Sequence, residues 1–563
     1  MDMYKRLVLL PLLGLICGCS GQPATLSSAP GQELPEPSVS ASDSANSANS
    51  AVPAASAPKL KISWTMHQNL PVAEDAVMVR ELEQKFNVDL DFWNLPNNKY
   101  ESLLDLKLVQ GSIPDLFRVR QTQDLLKYQQ QGVLAPIPEE LLNTYAPNIL
   151  KAIRENAPAY QQYGRINGSY YGIPVINPTN IYRVPVVYRQ DWLDKVGLKV
   201  PDTLADFEKF IYAATNEDPD GNGIRDTYGL SQEGMNVVFG AFGQMVFTDQ
   251  LYFSRKDQGL VIGALEPDMQ EALRYLRKWY KDGVIDPEFI TGENSGGYKH
   301  LSHAFINGRI GMTSMGNYYH WTQAGAYTDW RLDDQKAARL VPVEAMFNVK
   351  ELTAKHLQAK IAFGRPVSGP DGRRGSKAYD MMMSFTAIGA DATREPGKLE
   401  KILQLLDYIS ANPDPDEAAA LQYGIQGTHW DWAGTDKKDI ILLPPYNHMF
   451  SYQNTIGAGI GMTLPILPAG RSEQWAATLG LDHDGIYNAL EVATPSLIRN
   501  GPGLIKLRDQ AYIAFITGER PLEEFGEFVE EFLAAGGAEV LAEANESYKK
   551  LDPHQKGEQK ARL

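Results

Sequence analysis

Between Leu60 and Phe92 the spacing of apolar residues changes period twice, and this limits the possible folds more than any other feature of the chain. Leu60-Lys-Ile-Ser-Trp64 reads as a strand, and Val88-Asp-Leu-Asp-Phe92 alternates apolar and polar residues with period two. Between them, Glu74 to Phe86 carries Val77, Met78, Leu82 and Phe86 at helical spacing. A strand, a helix and a strand in this order predict a parallel pair, and so a sheet opening an α/β lobe. A helix over Lys99 to Val109 and a short strand over Ile113 to Phe117 are expected to follow. Farther on, Pro267 to Lys281 places Met269, Leu273, Leu276 and Tyr280 on one face, with Gly283 just past the end. Glu395-Pro396 opens another helix whose core stripe is Leu399, Ile402, Leu403, Leu406 and Ile409. Pro521–Leu533 and Ala538–Leu551 form a helical pair split by Gly536-Gly537. No repeat of fixed period accompanies these elements, which argues against a solenoid or propeller. The pattern is α/β, in two lobes.

The first 58 residues are of another kind. A short positive start with Lys5 and Arg6 precedes the apolar run Leu7–Ile16, too short to span a bilayer. The run ends in Leu15-Ile16-Cys17-Gly18-Cys19, which resembles a bacterial lipobox and implies cleavage after Gly18 with a lipid on the Cys19 sulfur. An ordinary secretory signal is the alternative. Cleavage leaves Cys19 as the only cysteine, so disulfide staples and cysteine-rich metal scaffolds are excluded. Ser20–Pro58 holds 10 Ser, 9 Ala and 6 Pro without one aromatic, and cannot bury enough apolar surface to order itself. It reads as a tether of ~35 Å average reach. The rest of the 563 residues, at 43% hydrophobic and 22% charged overall, can bury a large core. The net charge of −16, with no Lys/Arg-rich stretch, argues against nucleic acid as a partner.

The densest chemical signal is Asn216-Glu-Asp-Pro-Asp-Gly-Asn-Gly-Ile-Arg-Asp-Thr-Tyr-Gly229. Asp218, Asp220, Asn222 and Asp226 fall at positions 1, 3, 5 and 9 of a calcium loop. Gly223 takes the sharp turn at position 6, and Ile224 offers its carbonyl at position 7. Position 12 is Gly229 rather than a bidentate Glu, so Thr227 and water are expected to complete the shell. The expected ion is a structural Ca²⁺; the other reading is an acidic turn satisfied by water.

Further motifs surround that loop. Tyr188-Arg-Gln-Asp-Trp-Leu-Asp-Lys-Val-Gly-Leu-Lys-Val-Pro201 precedes it. Tyr280-Lys-Asp-Gly-Val-Ile-Asp-Pro-Glu-Phe289, Gly369-Pro-Asp-Gly372 and Tyr423-Gly-Ile-Gln-Gly427 come after it. In this order and spacing, from about Leu60 to Leu551, the chain resembles the large LipO-type branch of the family 1 extracellular solute-binding proteins of ABC importers. The resemblance implies a type II periplasmic-binding-protein-like clamshell with discontinuous lobes joined by hinge strands. It also implies an oligosaccharide ligand, delivery to the transmembrane subunits of an ABC permease, and a monomer on the outer face of a bacterial cell membrane. The calcium loop carries over through Asp218, Asp220, Asn222, Ile224 and Asp226. Relatives often have an acidic residue where this chain has Thr227, and Glu where it has Gln426. The expected division is a signal peptide 1–18, a tether 19–58, an N-terminal lobe 59–180 with 311–385, a C-terminal lobe 181–310 with 386–520, and C-terminal helices 521–563.

Sugars present apolar faces and a rim of hydroxyls, so their sites need aromatic platforms beside planar polar groups. Three clusters have that composition: Asn317-Tyr318-Tyr319-His320-Trp321, the Tyr423–Gln426 turn with His429-Trp430-Asp431-Trp432, and Trp64-Thr-Met-His-Gln68. Each follows an element expected to end at the cleft. Core burial is the competing reading for every one of these rings. Asp115 could orient a sugar hydroxyl or cap a turn. Gly457-Ala-Gly459-Ile-Gly461 lacks nucleotide-loop spacing, and His300 with His303 lacks a zinc partner. No catalytic residue is assigned. The rival function is a secreted, lipid-anchored glycosidase or polysaccharide lyase, which needs two carboxylates flanking the scissile bond. Signalling or adhesion without import is a third.

Overall fold

The computed structural model describes residues 58–66, 76–96, 99–157, 160–176, 182–291, 293, 302–316, 321, 347–379, 382–437, 439–443, 467–468, 483–490 and 494–550. Strands Leu60–Met66 and Val88–Asn94 pair in parallel, Leu60 opposite Val88 through Met66 opposite Asn94, with helix Val77–Phe86 between them. Alternation explains the pairing: Ile62, Trp64, Val88 and Leu90 face inward, while Lys61, Asp89 and Asp91 face out or stay half-exposed. Leu116–Val119 joins the other edge of Leu60–Met66, and Met382–Ile388 and Ile173–Ile176 complete a five-stranded sheet. Its core takes in Leu82, Phe117, Tyr128, Ile149, Ile402, Leu403 and Leu406.

A second core forms around Tyr188, Trp192, Phe207, Phe210, Leu276 and Trp279, closed by Tyr512, Phe515, Phe528 and Phe532. Strand Val186–Arg189 lies between Met312–Thr313 and Ile361–Gly364, antiparallel to both. Helix Asp268–Lys281 buries Met269, Leu273 and Leu276 as its spacing predicts, with Trp279 in place of the half-buried Tyr280. The C-terminal pair is Phe525–Phe532 and Ala538–Lys550, joined by a wide turn in which Gly536 has φ 114°. A Cβ at Gly536 would meet the Asn500 side chain at 2.6 Å, so both conformation and space require glycine there.

The two cores divide the chain differently from the expected lobes. Segment 386–421 packs in the first core, because Met382–Ile388 completes the first sheet and helix Lys398–Ser410 folds straight back onto it. Met312 and Val367 belong to the second core, and so do Leu522, Phe525, Val540 and Ala544 of the C-terminal helices.

Among the described residues the chain therefore crosses between the cores three times. Tyr182–Arg183 lies on the first crossing, Ser376–Tyr379 on the second and Gly485–Ile486 on the third, and these segments form one small sheet with Ser376–Tyr379 in the middle. The ribbon is tied to the second core at close quarters. Helix Gln232–Gly240 ends so near it that a Cβ on Gly240 would meet the Gly375 carbonyl oxygen at 1.8 Å. Asn488, just past the third crossing, accepts from the Phe253 N–H at 3.0 Å and donates to the Leu251 carbonyl at 2.9 Å.

Asp115 has a structural role. It is buried, accepts from the Ser63 N–H at 2.8 Å and the Ser63 hydroxyl at 2.9 Å, and pairs with Lys398 Nζ at 2.9 Å. It thus joins the first strand, the third strand and helix Lys398–Ser410, and its oxygens are committed to that joint.

Candidate functional site at the crossover

Lys377 and Tyr379 alternate with Ser376 and Ala378 along the central crossover strand, so the two pairs occupy opposite faces. Lys377 reaches Asp249 at 3.5 Å. Burial alone would lower its ammonium, but Tyr252, Asp249, Tyr379 and Glu233 around it hold it above its ordinary value. Burial pushes Tyr252 up to about 12 and raises Tyr379 as well. Glu233, in the first turn of helix Gln232–Gly240, is pushed up to about 7 by burial, against the pull of Lys377.

Glu293 completes this cluster. It is fully buried, and burial followed by the charge of Glu233 pushes it up to about 8. One carboxyl oxygen engages the Ser302 hydroxyl and the Thr313 hydroxyl, the latter at 2.5 Å, while the other has no hydrogen-bond partner. The His303 N–H donates to the Glu293 carbonyl at 3.1 Å. The assembly offers phenols, carboxyls and one ammonium where the crossover meets the second core. Such groups donate to and accept from a polyhydroxylated ligand. Periodicity could not reveal it, because its members come from four separate segments.

The aromatic residues singled out in the sequence are placed otherwise. Trp64 lies inside the first core against Phe92, with ring centroids 5.7 Å apart. Trp321 is fully buried, meets Phe305 edge-on at 5.3 Å and donates its indole N–H to the Met315 carbonyl at 2.7 Å. Trp430 is equally buried and donates to the Gly424 carbonyl at 2.8 Å. Tyr423 packs with it in a small separate cluster. A buried indole needs an acceptor, and a backbone carbonyl supplies it in both cases. These four rings present no face to a ligand in this structure. Half-buried Trp432 donates to Asp416 at 2.8 Å, and exposed Gln426 donates to Asp431 at 2.9 Å. Tyr318 and Tyr319, with Asn317 and His320, lie outside the described residues, as does Cys19.

The acidic loop folds around its own carboxylates. Asp218 accepts from the N–H groups of Gly221, Asn222 and Gly223 at 3.0–3.1 Å, and the Lys195 ammonium donates to its carbonyl at 2.6 Å. Burial works against ionisation of Asp218, but the Gly223 N–H, the Asp220 carboxyl, Lys195 and the Asn222 N–H together hold it below the usual carboxylate range. Asp220 is raised, by burial first and then by sharing a hydrogen bond with Asp218 beside the charge of Asp226. The Asn222 amide donates to Asp220 at 2.8 Å and to Asp226 at 3.2 Å, the position a cation would take between two carboxylates. Among the described residues no three acidic, His or Cys groups form a metal cage. Two expectations change. Thr227 is buried and donates to the Ala214 carbonyl at 2.8 Å, so it is committed elsewhere. At Gly229 a Cβ would meet the Ile211 Cβ at 2.3 Å, which explains why no Glu stands at position 12.

Two cores joined by a three-strand crossover define a two-lobed binding-protein fold. Residues 77–359, half of the chain, match the bacterial extracellular solute-binding protein family, and the chain belongs to it. It is 23% identical over 509 residues to the polygalacturonan/rhamnogalacturonan-binding protein YtcQ of Bacillus subtilis, covering 87% of this chain and 92% of that protein. It is 21% identical over 492 residues to lipoprotein LipO of the same organism, covering 84% and 88% of the two chains. Among solved structures, the Streptococcus pneumoniae ABC-transporter substrate-binding protein FusA in complex with kestose superposes with a TM-score of 0.63 at 17% identity. That match covers 87% of this chain and 99% of the other. An EF-hand mutant of FusA in complex with fructo-nystose superposes with a TM-score of 0.60 at 16% identity, over 87% of this chain and 99% of that one. The architecture is that of the type II periplasmic-binding-protein-like fold.

The state of Glu293 sets a pH dependence. The folded chain keeps its proton up to about 8, whereas an unfolded chain releases it near the ordinary 4.5. Unfolding thus releases a proton within that window, and stability falls as pH rises through it and levels off above it. Glu293→Gln should remove this slope, raising stability by a few kcal/mol at pH 8.5 and leaving it nearly unchanged at pH 4.5. Urea denaturation across that range reads the difference; a variant weaker than the parent at pH 8.5 contradicts the assignment.

Proposed function

We propose that this protein is the extracytoplasmic binding component of an ABC importer, closing its two lobes on an oligosaccharide and handing it to the membrane permease. One observation carries the reading: two separate hydrophobic cores meet through a crossover sheet of three short strands, with a polar cluster of Lys377, Tyr379, Tyr252, Asp249 and Glu233 beside it. A joint of that kind permits rigid-body hinge closure. The relatives lend the ligand class, since FusA is seen with kestose and YtcQ is named for binding polygalacturonan and rhamnogalacturonan. Of the predicted cluster residues, Trp432 and Gln426 are assigned to ligand contact.

Cys19, standing after Gly18 at the end of the export segment, is assigned the lipid anchor, and residues 20–58 the leash between membrane and globule. The test uses protein extracted from membranes, its first residue identified by mass spectrometry as lipidated Cys19. Calorimetry against a panel of oligosaccharides should find one bound with a Kd in the micromolar range or below, and none shortened after prolonged incubation. Release of smaller sugars would establish the rival glycosidase or lyase.

Calcium is assigned a structural place in the 218–226 loop, with the side chains of Asp218, Asp220, Asn222 and Asp226 and the Ile224 carbonyl as its holders. An ion there neutralises carboxylates gathered at one turn and fixes the loop. The EF-hand named for FusA supports the same reading. Calcium added to chelated protein at a hundred times its Kd should stabilise it by about 3 kcal/mol, seen as a rise in Tm, and Asp220→Asn should abolish the rise. A Tm indifferent to calcium would remove the ion from the account.

A further inference from the structure

Three arginines are more than nine-tenths buried among the described residues: Arg183, Arg189 and Arg508. Two of them are compensated. Arg189 pairs with Asp191 at 2.6 Å. Arg508 pairs with Asp509 at 2.8 Å and donates to the carbonyls of Thr248 and Gln250 at 2.6 and 3.1 Å. Arg183 is the exception. It is 5% exposed, its Nε and Nη1 have no hydrogen-bond partner, and none of the described carboxylates pairs with it.

Its place makes the exception informative. Arg183 lies on the first crossover strand, directly opposite Ala378. Opposed residues in an antiparallel pair share a face, so Arg183 projects on the side of Ser376 and Ala378, away from Lys377 and its ring of carboxyls and phenols. A second cation thus stands at the joint between the lobes, with no anion beside it among the described residues. An unpaired buried charge costs stability. Cost of this sort persists where the charge is answered by something the chain itself does not supply.

The arrangement points to a carboxylate on the ligand. We propose that Arg183 is the receptor for an acid group, so that the oligosaccharide taken up is a carboxylated one built from uronic acids. This rests on the oligosaccharide-binding reading and narrows it. The planar guanidinium fork matches a carboxylate through two parallel hydrogen bonds, which an ammonium or a neutral amide cannot reproduce. A local cation is also what a chain of net charge −16 needs to hold an anionic ligand.

The test compares tri- and tetragalacturonate with their methyl esters, which keep the sugar and lose the charge. The wild-type protein should bind the acids at least ~100-fold more tightly than the esters. Arg183→Met should abolish that preference by weakening binding of the acids to the level of the esters, and Arg183→Lys should retain a weakened preference for the acids. Without ligand, Arg183→Met should match or exceed the wild-type Tm, since it removes an unpaired charge. Esters bound as tightly as acids would overturn the role of Arg183 and leave sugar binding standing. Binding of no saccharide, charged or neutral, would overturn both. A ligand-free Tm that falls by more than about 5 °C in Arg183→Met would show that the guanidinium is paired within the fold, against the proposal.

Discussion

Backbone hydrogen bonding at the crossover is the constraint on which the rest depends. Three segments pass between the cores, and each carries peptide groups that must find partners where it leaves a sheet. They find them in one another: Tyr182–Arg183 and Gly485–Ile486 flank Ser376–Tyr379. The pairing is only two residues long on each side. So short a sheet fixes the register of the crossings while leaving most of each lobe's stability inside its own core. Helix Gln232–Gly240 and Asn488 then clamp this ribbon to the second lobe, so bending is expected on its other side, toward Met382 and Ile176.

Much of the architecture was legible from residue spacing. The parallel opening of the first sheet follows from Ile62, Trp64, Val88 and Leu90 alternating with polar neighbours, and the stripe of Ile402, Leu403 and Leu406 is buried as expected. Lobe membership was not legible, because a helix stripe states that a face is buried and not which sheet buries it. That choice for Lys398–Ser410 was made by the strand before it, whose pairing with Leu116–Val119 is a long-range event.

The site was less legible, for a related reason. Aromatic clusters flag sugar platforms by composition, but Trp64, Trp321 and Trp430 are large enough to be the most useful core residues available. The groups at the crossover are ordinary single residues in the sequence: Glu233, Asp249, Tyr252, Glu293 and Lys377 become a cluster only after folding. The acidic loop is intermediate. Its spacing announced the carboxylates, while the close approach of Ile211 to Gly229 and the commitment of Thr227 to Ala214 needed the neighbouring helix Leu204–Asn216.

Burial of charge gives the molecule a consistent logic. Asp115 with Lys398, Arg189 with Asp191, and Arg508 with Asp509 are compensated inside their lobes, where they join segments. Glu233, Glu293 and Lys377, each displaced from its ordinary ionisation, stand near the crossover. A joint lined by such groups is sensitive to what enters it, and contacts reaching both lobes would favour the closed form over the open one. The most direct measurement is small-angle X-ray scattering of the lipid-free protein, alone and saturated with a verified oligosaccharide. The account predicts a smaller radius of gyration with ligand, and an unchanged radius at proven saturation would contradict closure of the two lobes across the crossover strands.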